Sequence, residues 1–369
     1  MKQECDDLIY LLNNSKDSKI QLYLEYVFPN VLKRRSRDTN RIRDSIKFIG
    51  ILSTCNIDFN LNLYLYMKPP WLSGYVVRHV PARRMSSNLS NVKNDTLSVC
   101  TFNVLAPCYK RLSSENDRES LHESLWHRRH SSIINLLQSL EIDLICLQEF
   151  WFKNSLFIQL YKANLSPKYS FYTLQRTGFL DDGLAILIDS NRVKFIDRYD
   201  TKLHDIGNRI GILLNLEFNG KNILVINLHL TFPHYRFERT VRLKQMIKFL
   251  ELIRNYQEAN NLLNQCSIIL CGDFNSTYHN DNVYQLIEKD FQSSFKFIHG
   301  YEPHVTHLTH RRERLAADFI FYKSNILQPM SSELVPFGCN HLIWNDHTHW
   351  TLSDHRAIVT KFKYINNNS

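Results

Sequence analysis

From residue 97 onward short apolar runs alternate with polar turns, and the spacing within each run predicts an element. LSVCTF (97–102) reads as a buried strand, and SLWHRRHSSIINLLQSL (124–140) sets Leu125, Ile133, Leu136, Leu137 and Leu140 at helical intervals. DLICLQ follows as another buried strand, and YSFYTLQ, GLAILI, VKFIDRY, IGILLNLEF and NILVINLHL come in close succession. Asn219-Gly220, between the last two, carries the chemistry of a hairpin turn. A long helix is expected over 236–258, a strand at SIIL, a helix over 281–289, and strands at ADFIFY and RAIVTKFKY. Strands this numerous do not suit a doubly wound sheet, where a helix follows every strand. The pattern predicts an α+β fold of two mixed sheets packed face to face, with helices outside.

The first part of the chain is patterned differently. IDFNLNLYLYM is compatible with one strand before the break at KPPW, and SSNLSNVKNDT (86–96) is polar and turn-rich. The expected division is a basic N-terminal region, residues 1–95, and a catalytic domain, residues 96–366.

Composition sharpens this division. Of the formal net charge of +9, residues 1–95 hold 15 Lys and Arg against 9 Asp and Glu, so most of the excess lies outside the predicted sheets. Its centre is KRRSRDTNRIR (33–43), which suits either a solvated helix or linker, or a contact with nucleic acid or an anionic surface. A hydrophobic content of 44% with ten prolines and ten glycines in 369 residues excludes a repeat or disordered chain. The cysteines, at 5, 55, 100, 108, 146, 266, 271 and 339, show no paired zinc spacing, and several adjoin apolar runs where a thiol behaves as a small hydrophobe. MKQECDD lacks a secretory or transit character, and no stretch has the length and purity of a membrane span. The expectation is an intracellular, reducing compartment, with the cytoplasm favoured.

Candidate chemistry sits where the apolar runs stop. Asn103 follows CTF, Glu149 follows LICLQ, His229 interrupts VINLHL, Asp273 and Asn275 follow IIL, Asp318 opens DFIFY, and Asp354 and His355 precede RAIV. Taken singly, each suits a turn, a cap or a surface residue; Asp273 with Asn275 suits an Asx-rich turn with Ser276 or Thr277 capping the next helix. Taken together, they suggest strands delivering polar groups to one edge of the packed sheets. Carboxylates Glu149, Asp273 and Asp354 with neutral Asn103 and Asn275 favour Mg²⁺ or Mn²⁺ over structural zinc. Imidazoles at 229 and 355 suit anionic oxygens or a proton, and the combination points to phosphoryl transfer to water. Arg176 and Arg209 are candidate phosphate contacts, and FPHYRFER (232–239) suits either a single-stranded RNA surface or the start of an amphipathic helix.

TFNVLAP, ICLQEF, INLHL, CGDFNS, DFIFY and LSDHRAI occur in this order, and the set resembles the endonuclease/exonuclease/phosphatase superfamily over 96–366. The resemblance implies that superfamily's fold, a DNase I-like four-layer α/β sandwich. FNVLAPCYKR, LWHRRHSSIINLL and LDDGLAIL look most like the deadenylase, nocturnin and angel-like branch. HVTHLTHRRERLAADFIFY departs from the aromatic-rich stretch that deadenylases carry before the aspartate, which bears on poly(A) specificity more than on hydrolysis.

The resemblance further implies Glu149 as the principal carboxylate ligand of Mg²⁺, with Asn103 beside it and Asp354 available for metal contact. Asp273 would orient or deprotonate water, and Asn275 would hold water or phosphate without adding charge. His355 would pair with Asp318, and His229 would serve the transition state from the other side of the phosphate. Whether Asp273 or His355 is the base, and whether one ion or two are used, stays open at this point. The functional expectation is Mg²⁺-dependent hydrolysis of RNA, with 3′ exonuclease and deadenylase action as its narrower form, and single-stranded RNA or a nucleotide as the partner. Alternatives are a small-nucleotide phosphatase or 2′,5′-phosphodiesterase, a DNA nuclease, a phosphoinositide or sphingolipid hydrolase, and, in another class, an inactive RNA-binding scaffold.

Overall fold

The computed structural model describes residues 95–365 except 233, 235–236, 280 and 345–349. The N-terminal region to residue 94, with the IDFNLNLYLYM strand, the basic stretch 33–43 and most of the polar boundary, lies outside the described residues.

The apolar runs become strands within a few residues of their predicted limits. β1 (Thr96–Asn103), α1 (Glu123–Ser139), β2 (Leu144–Trp151), α2 (Ser155–Leu165), β3 (Tyr169–Gln175) and β4 (Asp182–Asp189) come first. Next are β5 (Lys194–Leu203), β6 (Arg209–Phe218), β7 (Lys221–His229), α3 (Phe237–Ala259), β8 (Ser267–Asp273) and α4 (Asn282–Glu288). The chain ends through β9 (Gln292–Ser293), α5 (Ser294–His299), β10 (His307–Leu308), β11 (Arg314–Leu315), β12 (Asp318–Lys323), β13 (Leu327–Val335) and β14 (Ala357–Tyr364). The β6–β7 hairpin turns at Asn219 (φ 52°) and Gly220 (φ 74°), the left-handed pair its strand twist requires.

Two six-stranded mixed sheets form, ordered β13-β14-β1-β2-β4-β3 and β5-β6-β7-β8-β12-β9. Because side chains alternate along a strand, one face of each sheet meets the other sheet and the opposite face meets helices. Leu97 and Val99 of β1 join Ile186, Leu214, Val225 and Ile320 between the sheets. Cys100 and Phe102 point the other way, into a cluster with Trp126 and Ile133 of α1 and Phe157 and Tyr161 of α2. On the far side, Leu224, Ile226 and Leu270 pack with Met246 and Phe249 of α3 and Tyr284 of α4. The result is the four-layer α/β sandwich. Buried Trp151 packs edge-on against Trp126, so this aromatic belongs to the helix-side core.

Elements that periodicity missed have local reasons. α2 is capped by Asn154, whose side chain accepts from the Leu156 amide at 2.8 Å. β13 contains Pro329, which argues against a central strand, but β13 is an edge strand and shifts register between Pro329 and Ser331. The cap of α4 is Asp281, which replaces the suggested Ser276 or Thr277.

Candidate functional site

Strand register gathers the polar residues. β7 and β8 run parallel with His229 beside Asp273, and β12 runs antiparallel to β8 with Asp318 on the other side of Asp273. His229, Asp273 and Asp318 thus form one row across three neighbouring strands. Gly272 permits this closeness, since a Cβ there would lie 2.1 Å from the Leu228 carbonyl oxygen. In the other sheet, parallel β1 and β2 pair Asn103 with Gln148, one residue before Glu149.

Asn103 joins the two sheets at this edge. Its Nδ2 donates to Glu149 Oε1 at 3.1 Å and to Asp273 Oδ2 at 3.0 Å, while its Oδ1 accepts from the Leu105 amide at 3.0 Å. Glu149 sits at an irregularity in the β2–β4 pairing with φ 55°, and its Oε2 accepts from the Ala106 amide at 3.0 Å. Burial, then the charges of Asp354 and Asp182, push the Glu149 carboxyl up to about 7. A carboxylate held among other acids in this way is a position that a divalent cation would relieve.

Asp273 is raised by burial as well, against the opposing pull of His355. Its Oδ1 accepts from the Asn275 amide at 2.9 Å, the geometry of an Asx turn, and Asn275 itself lies at φ 48°. The extended alternation that would put 273 and 275 on one face therefore stops at Asp273. Asn275 instead donates its Nδ2 to the Leu230 carbonyl at 3.0 Å, and Phe274 is buried in the helix-side core.

Asp318 is fully buried and accepts from His355 Nδ1 at 2.9 Å and from the Thr306 hydroxyl at 2.7 Å. That contact fixes the imidazole so that His355 Nε2 faces Asp273 Oδ2 at 3.7 Å and Asp354 Oδ1 at 4.0 Å. Burial opposes charge on His355, but Asp318, Asp273 and Asp354 outweigh it and push its pKa up to about 10. His229 goes the other way: burial, then Arg209 and Arg176, hold it well below the usual imidazole range. Its Nε2 lies 3.5 Å from Asp273 Oδ2, and its Nδ1 has no partner among the described residues. The two histidines flanking Asp273 thus differ in charge at neutral pH.

The arginines divide. Arg176 is paired with Asp182 at 3.2 Å, and Asp182 also accepts from the Tyr109 hydroxyl at 2.7 Å. Arg209 is buried, with Nε and Nη1 lacking partners among the described residues; burial and then Arg176 lower its pKa to about 10. Of FPHYRFER, Phe237–Arg239 open α3, Phe232 lies near His234 and His307, and Pro233, Tyr235 and Arg236 lie outside the described residues.

His307 was not foreseen. Its ring stacks on His355 with centroids 3.8 Å apart at 15°, and its Nε2 lies 3.7 Å from Asp354 Oδ2. It sits in the polar word THLTHRR on a two-residue strand, so no apolar run marked it. Donor atoms of Asp273, Asp318 and His355 lie within 4.8 Å of one another, as do those of His307, Asp354 and His355, so each group has the reach to hold a cation.

Residues 100–355 match the Endonuclease/Exonuclease/phosphatase family. The chain belongs to this family. Within reach of it are an uncharacterized calcium-binding protein of Arabidopsis thaliana, 35% identical over 271 residues covering 68% of this chain and 56% of that protein. The CCR4-Not complex 3′-5′-exoribonuclease subunit Ccr4 of Debaryomyces hansenii is 24% identical over 375 residues, 81% of this chain and 44% of that protein. The chain therefore spans about half the length of these two relatives. Among solved structures, ANGEL2, described as a 2′,3′-cyclic phosphatase bound to adenosine-2′,3′-vanadate, superposes with a TM-score of 0.59 at 19% identity. That likeness covers 73% of this chain and 96% of the other and shows the shared fold. Endonuclease/Exonuclease/phosphatase membership and the clustered His and Asp donors make this a metal-site hydrolase fold related to nucleases and phosphatases.

Proposed function

We propose that the protein hydrolyses phosphodiester bonds of single-stranded RNA from the 3′ end, with Mg²⁺ as its cation and Mn²⁺ as a substitute. The observation that carries this reading is the opposition of acids and bases at one sheet edge: a raised Glu149 beside Asp354, facing a row of His229, Asp273 and Asp318 that holds a charged His355. Glu149 and Asp354 would hold the ion, with Asn103 orienting Glu149 through its amide. When bound, Mg²⁺ polarises a phosphoryl oxygen and offsets charge developing in the transition state.

The chain's own groups then divide the remaining work. A histidine already protonated at neutral pH does not take another proton, which favours Asp273 as the group that aligns water and accepts its proton on Oδ2 while the bond from phosphorus to the ribose 3′ oxygen breaks, that oxygen taking a proton from solvent water. His355 donates from Nε2 to a phosphoryl oxygen, and Asp318 keeps it charged and oriented. Arg209, with unpaired donors beside His229, holds the phosphate from the opposite side, and Asn275 positions the water-side loop through Leu230. Arg176 keeps Asp182 satisfied near that contact. The relative from Debaryomyces hansenii, named as an exoribonuclease subunit, supports RNA as the substrate class.

A metal-dependence assay on end-labelled poly(A), mixed RNA, single-stranded DNA, dinucleotides, 2′-phosphorylated nucleotides and cyclic 2′,3′-phosphate ends tests this directly. Mg²⁺-dependent shortening of RNA from its 3′ end, stopped by chelation and by Asp273→Ala, is expected. Hydrolysis without metal, or unchanged after Asp273→Ala, overturns the mechanism. Release of phosphate from nucleotides alone would instead support the phosphatase reading that the ANGEL2 likeness suggests.

A further inference from the structure

Next to the catalytic edge lies an open cleft of 310 Å³ that none of the assigned roles uses. It begins at Thr277, two residues beyond Asn275, and includes Val305, the neighbour of the Thr306 that holds Asp318. Its volume is at the lower end of small-ligand clefts, roughly 300–1,000 Å³, which suits one nucleoside better than a chain of them.

The cleft's walls are aromatic and cationic. Tyr278 lies against His279 with ring centroids 3.9 Å apart and against His304 at 6.1 Å. The rail of rings continues from His304 to His341 at 5.8 Å and from His341 to Tyr301, stacked at 4.7 Å and 24°. Of these rings Tyr278, His279 and His304 line the cleft, and His279 and His304 are exposed; Tyr301 and His341 stack on each other just beyond it. Arg314 lines the same cleft, is exposed, and has no ion pair among the described residues. Buried Val305 and Ala316 supply an apolar floor.

Flat rings beside an unpaired guanidinium, within a few residues of a phosphate-hydrolysing edge, are the features that recognise a splayed nucleotide: the base stacks on rings while its phosphate meets the cation. β10 and β11 connect the two places, because His307 on β10 lies on His355 while Arg314 on β11 faces the cleft, and Leu308 pairs with Arg314. We propose that the cleft walled by Tyr278, His304 and Arg314 is a nucleobase subsite that holds a nucleotide flanking the scissile phosphate. This inference rests on the RNA reading above and adds where a base is gripped. Stacking of this kind tolerates every base, so the subsite sets position on the strand more than sequence.

The test uses the full chain and single-stranded RNA in which one abasic nucleotide is moved stepwise through the positions flanking the cleaved bond. Wild-type protein is expected to show a KM raised by roughly 5- to 150-fold at one position, the range for loss of one stacked base. Tyr278→Ala should raise KM for intact RNA within the same range with kcat little changed, and should erase the abasic penalty. Tyr278→Phe, which keeps the ring, should behave as wild type. His304→Ala, at an exposed position, provides the same comparison if Tyr278→Ala folds poorly, and Arg314→Ala should weaken binding while lowering its salt slope. Cleavage of RNA with no abasic-sensitive position, or with Tyr278→Ala and His304→Ala both at wild-type KM, overturns the subsite alone. Wild-type protein that neither binds nor cleaves RNA overturns both the subsite and the substrate reading.

Discussion

Glu149 concentrates the site's conflicts in one residue. Its backbone is left-handed at φ 55°, its side chain is half-buried, and desolvation, then two neighbouring acids, push its pKa up to about 7. A non-glycine residue at such an angle costs about 1–3 kcal/mol and persists when its surroundings over-determine it, here through Asn103 and the Ala106 amide. Glu149→Gln keeps the shape and removes the charge that Asp354 and Asp182 oppose. Its midpoint in chemical denaturation should stay at or above wild type, while Mg²⁺ affinity by calorimetry and turnover fall by more than about 100-fold, beyond the loss typical of an outer-shell partner. Unchanged turnover would remove Glu149 from the ion site. At this scale the carboxylates and His355 were legible because each ends or begins an apolar run. His307 and the direction of Asn275 were not, since one lies in a polar word and the other depends on a backbone angle that composition does not reveal.

Among the elements, α1 shows how a polar-looking residue becomes structural. Its apolar stripe was visible in the sequence, yet Arg129 on the same helix is buried. Arg129 Nε donates to both Glu119 oxygens at 2.9 Å, and Nη1 reaches the Val104 carbonyl at 2.9 Å and the Leu352 carbonyl at 2.8 Å. One guanidinium thereby ties the helix to the exit of β1, just after Asn103, and to the segment just before Asp354. Arg129→Ala leaves buried Glu119 with Lys110, at 3.2 Å, as its remaining cation and takes the donor from the Val104, Leu105 and Leu352 carbonyls, and should cost about 3 kcal/mol in denaturant unfolding. A loss under about 1 kcal/mol would show that these carbonyls and Glu119 find other partners. Periodicity reports only apolar positions, so it does not mark this arginine, and its acid opens a single 3₁₀ turn, Glu119–Leu121, that no apolar spacing marks either.

Across the whole molecule, the sheets are joined by more than aliphatic packing. Buried Gln148 of β2 donates to Asn227 Oδ1 on β7 at 2.7 Å, and Asn227 Nδ2 donates back to the Leu147 and Ala185 carbonyls at 2.9 and 3.0 Å. This polar bridge crosses between the sheets one residue from Glu149 and two from His229, so it fixes the distance between the two halves of the site. The basic stretch 33–43 acts at the same scale if it meets RNA: replacing its arginines should weaken binding of long RNA and lower the salt slope by about 0.7 per lost phosphate contact, with a very short substrate still hydrolysed. Equal loss on both lengths would point to folding instead.

By itself the sequence determined most of the long strands, the two-sheet class and most of the strand-end chemistry, because burial imposes a period of two on each strand and polar groups must stop it where water or substrate begins. Tertiary structure alone decided which ends meet. The row of His229, Asp273 and Asp318, the charged His355 against a neutral His229, the stack of His307 on His355 and the aromatic cleft beside them all arise from register and packing between segments far apart in the chain. Those interactions depend on distance and desolvation, which no local pattern of residues encodes.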